Sequence, residues 1–417
     1  MENKTINRTP QFIYKLTYIR YFCALGVVIS HASKLLLPEK IDNIFLNFIL
    51  KSLRELSASA MVGFFLLSGF VMYINYGKQF EDSKINFRKT YLSFLKNRFI
   101  RLYPLWVVAI ILDFFLWSRT GYTVPDYIKT IPFYLTFSQS WWYLTTSTRA
   151  FNYALGMTLG VGWSLSVEWL FYFTFPFILL VFKRFNSKKS LIILTVSIFL
   201  VYSLNVYLIN SQAFNENSLL YSMFGKTNPE VSGLNNWENS FGRWLVYLNP
   251  YIWLSVFIIG CYLAKLSIIL AKSEVRILKF RYLGFICLVA TFVLTINSYV
   301  FTFNKTLWIL RFGAVYVVPL GIYFLSICHR ELKDETPFKM GLIYRLGNAS
   351  YALYLFHFPI INILKDWRDS NISNSNFGVP YVAIRYLIII FAVHLICLSI
   401  SEYFDFPIRK FLKNRWI

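Results

Sequence analysis

The chain is predicted to be an all-α, polytopic membrane helical bundle of about ten transmembrane helices, with both termini in the cytoplasm. Three observations carry that prediction. Apolar blocks recur along the 417 residues, charge is scarce, and basic residues gather between alternate blocks. A soluble globular chain carries about 25% charged residues. Here the share is 15%, against 57% apolar and 20% aromatic, at a mean hydropathy of +0.50. Blocks of roughly 20 apolar residues match the hydrocarbon core. They must be helical, because lipid offers no partner to an open backbone.

The spans are placed near 14–37, 56–77, 102–118, 162–182, 190–210, 246–266, 282–301, 307–328, 344–364 and 381–404. Loop charge sets their orientation. Lys4, Arg8 and Lys15 lie at the N-terminal end, and the stretch 78–101 alone holds seven basic residues. Lys183, Arg184, Lys188 and Lys189 follow the fourth span, and further clusters lie at Lys265 to Arg281 and Arg330 to Arg345. The tail adds Arg409, Lys410, Lys413 and Arg415, whereas the long stretch 211–243 holds only Lys226 and Arg243. That alternation predicts N-in, C-in. It also accounts for the net charge of +22 without a nucleic-acid partner, since anionic headgroups attract such clusters.

Two outer segments are not plain loops. Residues 130–144, TIPFYLTFSQSWWYL, are too short to span, and are expected to lie in the interface or to re-enter among the helices. Residues 211–243 are rich in Asn, Ser and Gly and could fold over the outer face as a lid. The five cysteines form no CxxC pair and predict neither a disulfide framework nor a metal site. No small-residue cleavage site follows the first apolar run, so that span is expected to be retained. Residues 1–417 read as a single membrane domain without an appended soluble one.

Ionisable groups inside spans are costly and face the bundle interior or a watery cavity. The first span, YIRYFCALGVVISHASKLL, carries Arg20 and His31. Eleven residues are almost three turns, so both side chains share a face about 16 Å apart along the axis. With the cytoplasm at the N-terminal end, a permanent cation lies below a titratable imidazole. This suits a long anionic ligand whose reactive end reaches His31. A snorkelling Arg and a hydrogen-bonded core His are the structural alternatives.

The fourth span opens GVGWSLSVEWLFYFTFPF, with Glu168 one turn beyond Ser164 on the same face. Glu168 could orient an imidazole, balance a cation, or simply tie two helices together. The block GFFLLSGF places Ser68 and Gly69 in the second span, where small residues permit close helix contact or backbone access. KNRFIRLYPLW puts Arg98, Arg101 and Tyr103 at the cytoplasmic mouth of the third span, as phosphate ligands or positive-inside anchors. RLGNASYALYLFHFP brings Ser350, Tyr351, Tyr354 and His357 into the ninth. There His357 could be functional, or could bond a carbonyl freed at the Pro359 bend. No HExxH, Gly-rich phosphate loop, GxSxG elbow or zinc spacing occurs. His31 and His357 are therefore the leading acid/base candidates.

In this order, Arg20-x10-His31, FFLLSGF, RFIRLYP, WSLSVEWLFY, LGNASYALYLFHFP and the closing EYFDFPIRKFLK resemble the acyltransferase-3 family over essentially the whole chain. The resemblance implies a ten-helix enzyme of the plasma (inner) membrane. Such an enzyme moves an acyl group, usually acetyl from cytoplasmic acetyl-CoA, to a hydroxyl of an extracytoplasmic or lipid-linked glycan. It implies that Arg20, His31 and Glu168 serve the chemistry. Arg98 and Arg101, with Tyr103 and Ser68, would receive the acyl-CoA, while Ser164, Tyr351 and His357 would support the acceptor side. No metal is implied. Tyr21 stands where the family usually has a small residue, Phe356 where Trp is frequent, and Asp405-Phe406-Pro407 where it usually reads like "ERP". The competing class is a transporter or flippase of a lipid-linked sugar or small acid. The lack of an internal repeat and of paired broken spans speaks against it.

Overall fold

A computed structural model describes residues 12–38, 42–81, 86–117, 124–143, 158–185, 187–213, 244–271, 278–296, 314–331, 341–371 and 379–416, with three isolated positions between 217 and 222. The described residues are helical apart from turns. In order, the helices are α1 (Phe12–Leu36), α2 (Ile44–Glu81), α3 (Phe87–Trp117), α4 (Val124–Leu135), α5 (Trp163–Phe182) and α6 (Lys188–Ala213). Then follow α7 (Pro250–Ala271), α8 (Leu278–Ile296), α9 (Ala314–Glu331), α10 (Leu342–Asn348) and α11 (Ser350–Asn371). Last come α12 (Val379–Ser399), a π-helical turn Ile400–Asp405, and α13 (Phe406–Trp416).

A helix overlaps each predicted span, and six stretches are long and apolar enough to cross a membrane. Those six are α1, α2, α3, α5, α7 and the continuous run from α12 through α13. The chain is thus a multi-pass membrane protein. Parts of the predicted seventh and eighth spans, and the lid expected at 211–243 from residue 214 on, lie largely outside the described residues.

Two boundaries correct the prediction. α2 begins at Ile44 rather than 56, and α3 begins at Phe87 rather than 102. The stretch 78–101 is therefore mostly helix, and Arg98 and Arg101 sit about three to four turns inside α3. Aromatic packing accounts for the early start. Phe87 and Tyr91 meet Phe177 of α5 at 6.0 and 5.9 Å, and Phe94 stacks on Phe175 at 5.5 Å. Burying these rings outweighs the cost of helical polar residues between them.

Side-chain pairs give the helix directions. Ser30 donates to the Arg54 carbonyl at 2.6 Å while Gly63 lies on Cys23, so α1 and α2 are antiparallel. Phe65 meets both Trp163 (6.1 Å) and Trp253 (4.8 Å). Further along α2, Tyr73 meets Phe182 at 6.4 Å and Glu81 pairs with Lys265 at 3.2 Å, so α5 and α7 both run parallel to α2. Phe99 faces Trp169 where Phe87 faces Phe177, so α3 opposes α5. Thr17 touches Gly347 and His31 touches His357, so α11 runs with α1. Tyr386 donates to the Ile29 carbonyl while Tyr21 meets His394, so α12 runs against it.

The segment after α4 packs among the helices. Phe137, Gln139 and Ser140 are buried. Gln139 Nε2 donates to the Gly162 carbonyl at 2.8 Å, and Trp141 Nε1 to that of Ser166 at 2.9 Å. Asp113 of α3 secures the same side. Its Oδ1 accepts from the Leu159 N–H and its Oδ2 from the Tyr127 hydroxyl, each at 3.1 Å.

Candidate active site

The cavity at the centre of the bundle arises because α2 cannot fill the space beside it. Gly69 turns towards α7, while its neighbour Ser68, on another face, borders the opening. A partly open cavity of about 90 Å³ is bordered by α1, α2, α3, α5 and α11. Four charged residues face it: Arg20 from α1, Arg98 and Arg101 from α3, and Glu168 from α5. Ser68, Ser164, Ser350, Tyr351 and Tyr172 add polar groups to a wall otherwise built from Met61, Phe64 and their apolar neighbours.

The three cations are held differently. Arg98 donates to the Tyr76 hydroxyl at 2.5 Å, and its guanidinium stands 4.9 Å from that ring and 5.7 Å from Tyr172. It is locked by cation–π contacts and a hydrogen bond. Arg20 and Arg101 donate no hydrogen bond among the described residues, so both guanidiniums stay open to the cavity. The charges of Arg101, Glu168 and Arg98 all act on Arg20. Glu168 accepts from Tyr172, four residues on, through Oε1 and pairs directly with none of the cations. Three cations and one carboxylate thus face the same cavity.

A second polar centre lies further along α1 and α11. His31 Nδ1 is 2.9 Å from His357 Nε2, with the rings stacked at 5.1 Å. Phe358 stands edge-on to His31 at 5.5 Å. Phe358 is in turn braced by Gly160, where φ is +72° and an added Cβ would stand 2.8 Å from the ring. Tyr354 joins the two centres, lining the cavity while its ring centroid lies 6.1 Å from that of His357.

Seven of the ten sequence-nominated residues thus face one cavity: Arg20, Ser68, Arg98, Arg101, Ser164, Glu168 and Tyr351. His31 and His357 form the adjoining pair. Tyr103 is elsewhere: it stacks on Phe99 at 4.1 Å and abuts Phe137, so it packs the segment after α4 instead of the cavity. Glu168 sits with the cations, and the residue that bonds the His31 imidazole is His357. Nor does His357 bond the Leu355 carbonyl that Pro359 would release; its Nδ1 meets the Leu353 and Tyr354 carbonyls at 3.0 and 2.8 Å. Sequence reasoning missed Tyr76 and Tyr172 as partners of Arg98 and Glu168. Tyr172 was legible as the i+4 neighbour of Glu168. Nothing in the order of residues marks Tyr76.

Comparison with known proteins places this architecture in a family. The acyltransferase-3 profile, described as an acyltransferase domain, matches residues 13–402, and the chain belongs to that family. It is similar to the O-acetyltransferase OatA of Staphylococcus aureus strain NCTC 8325, 24% identical over 409 residues. That alignment covers 96% of this chain and 58% of the relative. A putative O-acetyltransferase of S. aureus strain COL is 24% identical over 370 residues, covering 86% of this chain and 52% of its own length. The chain thus spans somewhat more than half the length of these curated relatives. No solved structure matches.

Proposed function

We propose that the protein is a membrane O-acyltransferase that carries acetyl from cytoplasmic acetyl-CoA to a hydroxyl of an extracytoplasmic or lipid-linked glycan. The observation that carries this reading is the junction of two centres on one pair of helices. A tricationic cavity with two open guanidiniums adjoins an imidazole pair, and Tyr354 bridges them. Arg20, Arg98 and Arg101 receive the phosphates and the polar arm of the donor. The thioester end extends along α1 towards His31. His31 takes the proton of the acceptor hydroxyl as its oxygen attacks the thioester carbonyl.

Ten spans in a plasma membrane, with both termini cytoplasmic, complete the proposal. The helix directions support it: α1, α3 and α11 run one way, and α2, α5, α7 and α12 the other, in keeping with alternate crossings. Lys78, Lys89, Lys183, Arg345 and Lys410 then fall at one end of the bundle, as positive-inside anchors would. The O-acetyltransferase descriptions of the two staphylococcal relatives support acetyl as the group moved.

The test is purified protein in liposomes, supplied with acetyl-CoA labelled in the acetyl group and with glycan acceptors from the parent cell. Label appearing on the glycan, and lost in His31→Ala and Arg20→Ala variants that remain folded, is the expected result. Label that stays on CoA, while an acceptor sugar crosses the bilayer, would overturn it in favour of transport.

A further inference from the structure

The hydrogen bonds around His357 determine the proton positions in the whole pair. Its Nδ1 lies 3.0 Å from the Leu353 carbonyl and 2.8 Å from that of Tyr354. Carbonyl oxygens only accept, so this nitrogen carries the hydrogen. In a neutral ring, Nε2 is then an acceptor. Among the described residues the only group within reach of it is His31 Nδ1, at 2.9 Å, which must therefore donate. One hydrogen remains for each neutral imidazole, so His31 Nε2 is left with its lone pair. That nitrogen has no hydrogen-bond partner among the described residues.

We infer that His357 is the positioning residue of the reaction, holding His31 as the Nδ1–H tautomer so that Nε2 is the atom that takes the acceptor's proton. The inference rests on the acetyl-transfer reading for its chemistry, but not for its geometry. His357 is wholly buried, at 0% exposure, and two carbonyls hold its Nδ1, which leaves Nε2 facing His31. It occupies the place that a carboxylate takes behind other catalytic imidazoles. A neutral ring serves here because it adds no charge to an apolar helix interface.

The step balances. The acceptor oxygen forms a C–O bond to the acetyl carbon as its proton passes to His31 Nε2, and His31 is briefly an imidazolium whose Nδ1–H still donates to His357. The C–S bond then breaks, and the thiolate leaves with the proton from Nε2. The products are an O-acetyl ester and a free thiol, with His31 restored to its starting tautomer. The charged or titratable groups that bear on the pair are Lys34 of α1, Tyr354 of α11 and His394 of α12.

Two measurements on the full chain in bilayers test the inference. The first is nitrogen NMR of histidine-labelled protein, with His31 assigned by its loss in His31→Gln. The wild type is expected to show a protonated Nδ1 and a bare Nε2 on His31. In His357→Leu, His31 should lose that single tautomer, while in His357→Gln, whose amide oxygen can accept, it should keep it. A wild-type His31 protonated on Nε2, or one unaffected by His357→Leu, overturns the inference whether or not acetyl transfer occurs. The second measurement is kinetic. His357→Leu should lose on the order of 10²-fold in kcat with KM for acetyl-CoA unchanged, and His357→Gln should recover much of it. Equal loss in both folded variants would make His357 merely structural. Correct tautomers without any acetyl transfer would instead refute the proposed function and leave the pair intact.

Discussion

Gly69 and Gly260 lie back to back where α2 crosses α7: a Cβ on Gly69 would stand 2.1 Å from the Phe257 carbonyl oxygen, and one on Gly260 2.1 Å from that of Leu66. Without hydrophobic force between helices in lipid, such close backbone approach is a main source of attraction. Cys261 adds a weak thiol hydrogen bond to the Gly69 carbonyl at 3.3 Å. Because backbone, not a flexible side chain, blocks the space, the helices must separate to admit a methyl. Gly69→Ala should cost about 1–3 kcal/mol or more by overpacking. Thermal unfolding in detergent checks this, and activity should fall with it, since Ser68 on the same turn borders the cavity.

Arg98 tests whether the cavity needs a guanidinium or merely a charge. Its hydrogen bond to Tyr76 and its place near the Tyr76 and Tyr172 rings depend on a planar group. A lysine offers a point charge on a flexible stem. Arg98→Lys should therefore behave much like Arg98→Ala, each raising KM for acetyl-CoA by roughly tenfold, equivalent to about 1.4 kcal/mol of binding. Steady-state kinetics over a donor titration decides it.

Glu168 lies near three cations and is hydrogen-bonded by Tyr172. Removing its charge makes the cavity more attractive to an anion, so Glu168→Gln should leave KM for acetyl-CoA unchanged or lower. A drop in kcat alongside would place the carboxylate in the chemistry. Tyr172→Phe keeps the charge and removes one hydrogen bond to it, costing about 1.5–3 kcal/mol if the effect is on stability. Comparing the melting of the two variants separates the contributions.

Asp113 holds the turn at Leu159 in place. Replacing it with alanine leaves the Leu159 N–H buried without its acceptor, while the Tyr127 hydroxyl keeps the Ile110 carbonyl at 3.1 Å. Such an orphaned N–H costs about 1–3 kcal/mol. The consequence reaches the site, because Leu159 precedes Gly160, which braces Phe358 against His31. Asp113→Ala should lower both melting temperature and kcat, whereas Asp113→Asn, which still accepts through its oxygen, should retain most of each.

Lys265 is buried at 3% exposure, bonded to Glu81 at 3.2 Å and to the Phe182 carbonyl at 2.6 Å. It joins the C-terminal ends of α2, α5 and α7. Lys265→Ala should destabilise by about 1–3 kcal/mol, since Glu81 loses its cation but keeps the Tyr73 hydroxyl at 2.8 Å. Lys265→Met together with Glu81→Leu should recover much of that loss in a denaturation series.

What the sequence determines by itself is whatever lipid makes local. A helix must satisfy its own backbone in a bilayer, so the apolar blocks marked the spans, though not the early starts of α2 and α3 or the short helix α4, and the eleven-residue spacing put Arg20 and His31 on one stripe of α1. The polar residues of those blocks stood out because each was costly. Tertiary structure alone decided which of them meet. Helical periodicity says nothing of the partner across an interface 326 positions away, and so it left the His31 imidazole with Glu168 as a possible partner. Packing gave Glu168 to Tyr172 among the cations and gave His31 to His357. Aromatic burial against α5 likewise drew the basic stretch before residue 102 into α3, carrying Arg98 and Arg101 inside the bundle, where loop charge had suggested only a cytoplasmic mouth.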